Sequence, residues 1–150
     1  MMNRRNFLGL GLGALAVSMA PSSLSAIDFR KEKPKAWTAT KVDEAIKELF
    51  GKTATASDKV KLKAPDIAEN GAVIPVTVSS DLAGSKVAIF QDANPESTVA
   101  VFTVPKGGII DYSVRIKMAK TGNVTAIIEE NGKLYSTTKE VKVTIGGCGG

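Results

Sequence analysis

One thiol stands alone in this chain. Cys148 is its single cysteine, and it sits between two glycine pairs in Gly146-Gly147-Cys148-Gly149-Gly150. A thiolate is a nucleophile and a redox centre, so an accessible lone cysteine offers covalent sulfur chemistry. The flanking glycines argue against a packing role. Glycine has no Cβ and loses the most conformational freedom on ordering, whereas a buried structural cysteine belongs inside an apolar periodic segment. The stretch therefore reads as a flexible arm with one sulfur near its tip. Fully extended, five residues cover roughly 17 Å, enough to carry the thiol into a narrow channel of another protein.

The thiol has no internal activator. The chain contains no histidine, which removes the commonest general base and metal ligand and excludes an internal cysteine–histidine pair. No carboxylates are spaced as in a calcium or metal site. The expectation is thus no catalytic residue, no metal ligand, no cofactor, and no enzyme activity of its own. An exposed thiol titrates near ~8.5, and a neighbouring terminal carboxylate disfavours further negative charge. The free thiol should be a modest nucleophile.

The opening residues set the compartment. Asn3-Arg4-Arg5-Asn6-Phe7-Leu8-Gly9 precedes a mild apolar run, Leu8 to Ala20, softened by Gly9, Gly11 and Gly13. Residues 1–26 resemble a twin-arginine export signal, with Gly9 where a polar residue is usual. The run is shorter than the ~20 residues of a membrane span. Cleavage is expected near Ser25 or Ala26. The twin-arginine route exports folded proteins, so a partner lacking its own signal could travel as a complex. In an oxidising periplasm a lone thiol must be free, modified, or paired with another molecule.

Charge is uninformative about partners. Without Arg4 and Arg5, eighteen basic residues face fifteen acidic ones, a net charge of +3. The lysines are scattered and aromatics are few, which does not suggest nucleic acid.

The elements that must hold the arm follow from hydrophobic periodicity. Residues 27–58 read as a helical segment and linker. Asp28 to Ala39 is polar and charged, with Trp37 expected to pack locally. Thr40 reads as a helix N-cap with Asp43 three residues on. Val42, Ala45, Ile46, Leu49 and Phe50 form one apolar stripe, and Gly51 is a natural stop. Thr53 to Asp58 reads as a polar linker. From Lys59 the period becomes two, and residues 59–145 read as a β-sandwich. Val60, Leu62 and Ala64 alternate with lysines. Ile74, Val76 and Val78 follow, with Pro75 pointing to an edge strand or bulge. Strands are expected at Lys86 to Gln91, Thr98 to Val104, around Tyr112 to Met118, at Val124 to Ile128, at Leu134 to Thr138, and through Val141, Val143 and Ile145. Asn131-Gly132 marks a hairpin turn. Seven or eight short strands predict an immunoglobulin-like antiparallel β-sandwich with a short N-terminal helix. Residues 146–150 form the arm.

The twin-arginine signal, the helix, the β-rich body, and above all Val143-Thr144-Ile145-Gly146-Gly147-Cys148-Gly149-Gly150 resemble the SoxY family, carrier subunits of the periplasmic sulfur-oxidising (Sox) system. The resemblance implies that Cys148 is the covalent attachment point for thiosulfate-derived sulfur intermediates. It implies a heterodimer with a SoxZ-like β-sandwich subunit. It further implies that a SoxAX haem enzyme couples thiosulfate to the cysteine, a SoxB hydrolase releases sulfate, and a SoxCD sulfane dehydrogenase, where present, oxidises the remaining sulfur. Two other readings compete. A sandwich could dimerise through a Cys148 disulfide as a binding module. Alternatively, Gly149-Gly150 could carry sulfur as a thiocarboxylate, as in ubiquitin-like carriers, although that activation is cytosolic.

Overall fold

The structure is a computed structural model that describes residues 27–144. Among the described residues, three short helices precede nine strands. The helices are α1 (Phe29–Glu32), α2 (Pro34–Thr38) and α3 (Val42–Phe50). The strands are β1 (Thr55–Ala56), β2 (Lys61–Lys63), β3 (Ile67–Ala68), β4 (Ile74–Ser80), β5 (Lys86–Gln91), β6 (Thr98–Thr103), β7 (Ile110–Ile116), β8 (Gly122–Glu130) and β9 (Lys133–Val143).

The segment before Thr40 contains two helices where only a polar stretch was expected. Their signals are local. The Asp28 carboxylate accepts from the Arg30 N–H to cap α1, and Pro34 occupies the first position of α2, where its missing N–H costs nothing. Trp37 packs locally as expected, with the Arg30 guanidinium 4.2 Å from its ring centre. Thr40 does not cap α3. Lys41 is the N-cap, in extended conformation and without a side-chain bond, and Asp43 and Glu44 satisfy the positive end of the helix dipole instead. Gly51 ends α3 in the left-handed region, at φ 70°.

Two sheets pack face to face, the sandwich the sequence predicts. The larger has the order β1-β9-β8-β5-β6, with β3 also on β9, and the smaller runs β2-β4-β7. Between them lie Val76, Val78, Val87, Ile89, Val124, Ala126, Ile128 and Val141, all buried. The opposite face of the larger sheet carries the helices. Ala45, Ile46 and Leu49 pack there with Ala88, Phe90, Ile127 and Leu134. The central strands are thus covered on both faces, and for that reason Val87 to Gln91 and Val124 to Ile128 are buried without alternation. The β8–β9 turn has φ 49° at Asn131 and 74° at Gly132, the conformation that makes Asn-Gly a hairpin signal.

Three readings change. The polar linker holds β1, which pairs in parallel with Tyr135 and Ser136 of β9. The two expected final strands are one strand of 11 residues. The apparent break at Lys139-Glu140 is bridged because both residues stay in register with β8, opposite Val124 and Asn123. Finally, β4 is central in its sheet, but β2 pairs only with its residues 77–79. Pro75 faces β7 alone, so it occupies a local edge, where a missing N–H is tolerated.

Candidate functional site

The expectation from the sequence is chemistry on Cys148, flanked by Gly146, Gly147, Gly149 and Gly150. These residues, Ile145, and Arg4 and Arg5, the residues expected to direct export, all lie outside the described residues. What the structure supplies is the root from which residues 145–150 continue, the end of β9.

That root is fastened on both sides. Toward β8, antiparallel pairing runs from Lys133 to Val141, opposite Gly122. Beyond it the Val143 N–H donates to Thr121 Oγ1 at 2.9 Å. On the other side β3 runs parallel, with Ile67 opposite Lys142 and Ala68 opposite Val143. There the Lys142 N–H donates to the Asp66 carbonyl at 3.0 Å and the Thr144 N–H to the Ala68 carbonyl at 3.1 Å. Val141 is fully buried between the sheets. The last described residue, Thr144, lies just past the strand and is tied to β3 by its own N–H.

One cation joins these pieces. Lys139 Nζ donates to the Ala64 carbonyl at 2.6 Å and lies 2.9 Å from Asp66 Oδ1. Its hydrogen bond, then its charge, holds the Asp66 carboxyl below its ordinary value. These root residues, Asp66, Ala68, Thr121, Lys139 and Thr144, were not singled out by sequence reasoning. Their partners lie 22 to 76 residues apart, and no local motif announces such pairings.

A shallow cleft of about 510 Å³ lies at the same end, lined by Gln91, Asn94, Pro95, Glu96, Thr98, Val99 and Lys117. Its amides are occupied. Buried Gln91 accepts from the Ala93 and Asn94 N–H groups and donates to the Glu96 carbonyl. Asn94 donates to the Lys117 carbonyl and accepts from the Ala119 N–H. These side chains shape a loop and leave little to bind a ligand. Among the described residues no group of three His, Cys, Asp or Glu side chains could hold a metal ion, and no helix is long and apolar enough to cross a membrane.

The geometry defines a class: a β-sandwich with a helical layer on one sheet, whose longest strand is secured at the point where a glycine-bracketed cysteine follows. The family model described as sulfur oxidation protein SoxY matches residues 46–148, a span that includes Cys148. The chain belongs to the SoxY family. Among solved structures it is similar to the sulfur carrier protein SoxY from Chlorobium limicola f thiosulfatophilum, with 42% identity and a TM-score of 0.65, over 71% of this chain and 98% of that one. It also shares its fold with the superoxide reductase (neelaredoxin) from Ignicoccus hospitalis, at 20% identity and a TM-score of 0.52 over 57% of this chain and 80% of that one. A variant of that reductase matches at 18% identity and a TM-score of 0.55, over 63% and 97%. At such identities the likeness is one of fold alone. No curated protein matches the chain.

Proposed function

We propose that this protein is a covalent sulfur carrier that holds thiosulfate-derived intermediates on Cys148 and presents them to partner enzymes in the periplasm. The observation that carries the reading is the fastened end of β9. A rigid base, held by hydrogen bonds on both flanks, is followed within four residues by the single thiol. Four residues reach at most about 14 Å. The glycines on either side of Cys148 keep that path narrow, which suits delivery into a partner's channel. The 42% identity to a solved sulfur carrier supports the cargo.

The chemistry divides accordingly. Cys148 supplies a thiolate that forms a sulfur–sulfur bond with thiosulfate, the two electrons leaving to a SoxAX-like haem partner. Water then displaces the terminal sulfone as sulfate in a SoxB-like hydrolase and leaves a persulfide on the cysteine, which a SoxCD-like dehydrogenase could oxidise further. The chain contributes attachment and presentation, so it is a carrier subunit and not an enzyme. Arg4 and Arg5 direct folded export, and a SoxZ-like β-sandwich subunit travels with it.

The test is intact-protein mass spectrometry of the periplasmic form, before and after reductant, from cells given thiosulfate. The expected result is a reductant-sensitive addition of sulfur or thiosulfate mass that maps to Cys148. An unmodified thiol, or only a disulfide-linked dimer, would overturn covalent carriage and leave a binding module.

A further inference from the structure

Strand β9 runs past its neighbour. β8 begins at Gly122, opposite Val141, so Lys142 and Val143, with Thr144 after them, project beyond it as a stalk of roughly 10 Å. Continued in register, the ladder would set Lys120 opposite Val143. The chain instead bends at residues 119–121.

The bend is imposed from elsewhere. Asn94 holds the Lys117 carbonyl and the Ala119 N–H. Between them the Met118 N–H donates to the Gly71 carbonyl at 2.8 Å, and Met118 is fully buried. Three consecutive residues are thus pinned to other loops, and the chain cannot run straight along the stalk. Thr121 replaces the missing backbone partner with its side chain. Its Oγ1 accepts from the Val143 N–H at 2.9 Å. Among the described residues no other hydrogen bond reaches Lys142, Val143 or Thr144 from that side. The N–H groups of Lys142 and Thr144 both point the other way, to β3. Held along one edge only, the stalk could swing about it. The Thr121 hydroxyl secures the opposite edge.

Such a splint matters for a thiol delivered on a tether. Every residue that is loose beforehand must be ordered when the tether enters a channel. Fixing the backbone of one residue is worth roughly 5- to 30-fold in an equilibrium constant. A stalk that is already extended avoids that cost, as preorganisation does in binding generally. We propose that Thr121 is a positioning residue for carriage: its hydroxyl splints the end of β9, so that the free length of the arm starts beyond Thr144 and not at Lys142. The inference rests on the carrier reading, in which Cys148 enters a partner's channel.

The chemistry of the splint is specific. It needs an acceptor oxygen at position 121, not a particular shape. Serine keeps that oxygen, whereas valine has the bulk of threonine without it. Thr121 is itself exposed, so neither replacement disturbs the core between the sheets.

The test adds the mature chain, with the subunit that copurifies with it, to periplasmic extract from cells lacking the chain. Thiosulfate is supplied, and the initial rate of mass addition to Cys148 is followed as the carrier concentration rises. Because the β3 bonds remain, Thr121→Val should raise the half-saturating concentration only about three- to tenfold. The maximal rate and the urea midpoint should be nearly unchanged, the pattern of lost binding and not of lost chemistry. Thr121→Ser should restore native behaviour. Equal half-saturation in the native chain and Thr121→Val, or a Thr121→Ser chain as impaired as Thr121→Val, would overturn the role of the hydroxyl while leaving carriage intact. Absence of any adduct on the native chain would instead overturn carriage, and this role with it. Should Thr121→Val fail to fold, hydrogen exchange of the native protein decides. The Val143 amide should be as protected as those of Lys142 and Thr144, and fast exchange at Val143 alone would refute the splint.

Discussion

Lys139 and Asp66 form a contact across 73 residues of sequence, with Nζ 2.9 Å from Oδ1, and the same ammonium binds the Ala64 carbonyl. The pair closes the sandwich beside the end of β9. Asp66 is exposed, so its own contribution is small and screened by salt. Its sign is nevertheless defined. The folded-state pKa lies below the ordinary value of 3.8, through the Lys139 hydrogen bond first and its charge second. The stabilisation is thus present above pH 3.8 and lost as the pH falls through the lowered folded value. Urea denaturation of the native protein and Asp66→Asn should differ near neutrality and converge in acid. A difference that persists in acid would show another cause.

Lys139→Met should cost more than Asp66→Asn. It removes the donor to the Ala64 carbonyl as well as the ion-pair partner, and such a bond contributes about 1 kcal/mol. The loss should be local too. Hydrogen exchange at Lys142 and Thr144, whose amides bond the β3 segment, should quicken more than exchange in β5. Uniform acceleration would mean the contact stabilises the whole fold equally.

Gly122 faces Val141 across the β8–β9 ladder. A Cβ there would fall 2.5 Å from Asp92 Oδ1 and 2.9 Å from the Ala93 Cβ. Asp92 cannot yield easily, because its carboxylate accepts from both the backbone and side-chain nitrogens of Asn123. Gly122→Ala should therefore destabilise by about 1–3 kcal/mol, as overpacking does. Denaturant midpoints read this directly, and an unchanged midpoint would mean the loop gives way freely.

Phe90 connects the helices to the sheet. It is fully buried, on the side of β5 that meets Ala36, Ile46 and Leu49. Phe90→Ala should cost about 3–5 kcal/mol. The single tryptophan, Trp37, lies in α2 and reports on the layer. Its fluorescence should move to the red in the variant before the sheet unfolds. A single transition by fluorescence and circular dichroism would show that the helices and sheet remain one cooperative unit.

Those two layers were legible in the sequence to different depths. The stripe of α3 announces itself through a 3.6-residue period, and its partners Phe90 and Ile127 belong to the short apolar runs Val87-Ala88-Ile89-Phe90 and Ala126-Ile127-Ile128, which fit burial on both faces. Alternation in β7 marks a strand with one wet face, borne out by exposed Asp111, Ser113 and Arg115. The short pieces were not legible. Strands β1 and β3 have two residues each, too few for a period, and exist only because β9 offers them an edge. The continuity of β9 through Lys139-Glu140 was hidden for the same reason. A lysine there reads as a break until Ala64 and Asp66, far off in sequence, are found beside it. The candidate site divides in the same way: the thiol expected there is plain from composition, while the residues that fasten the end of β9 are defined by tertiary contacts.

Because the end of β9 is fastened through the amides of Lys142, Val143 and Thr144, substitutions at 146–150 should separate carriage from folding. Cys148→Ser is expected to abolish the thiosulfate-derived mass addition while leaving the unfolding midpoint and partner association unchanged. Loss of the partner complex would give the thiol a structural part. Gly147→Val and Gly149→Val keep the nucleophile but add β-branched bulk beside it, so they should slow turnover with partner enzymes and leave alkylation of the isolated chain nearly untouched. Unchanged turnover would remove the steric argument for a narrow path. The isolated thiol itself should be alkylated at about the rate of a model peptide thiol, since no histidine exists in the chain to activate it. A much faster reaction would place an activating group on this chain and not in the partner's channel.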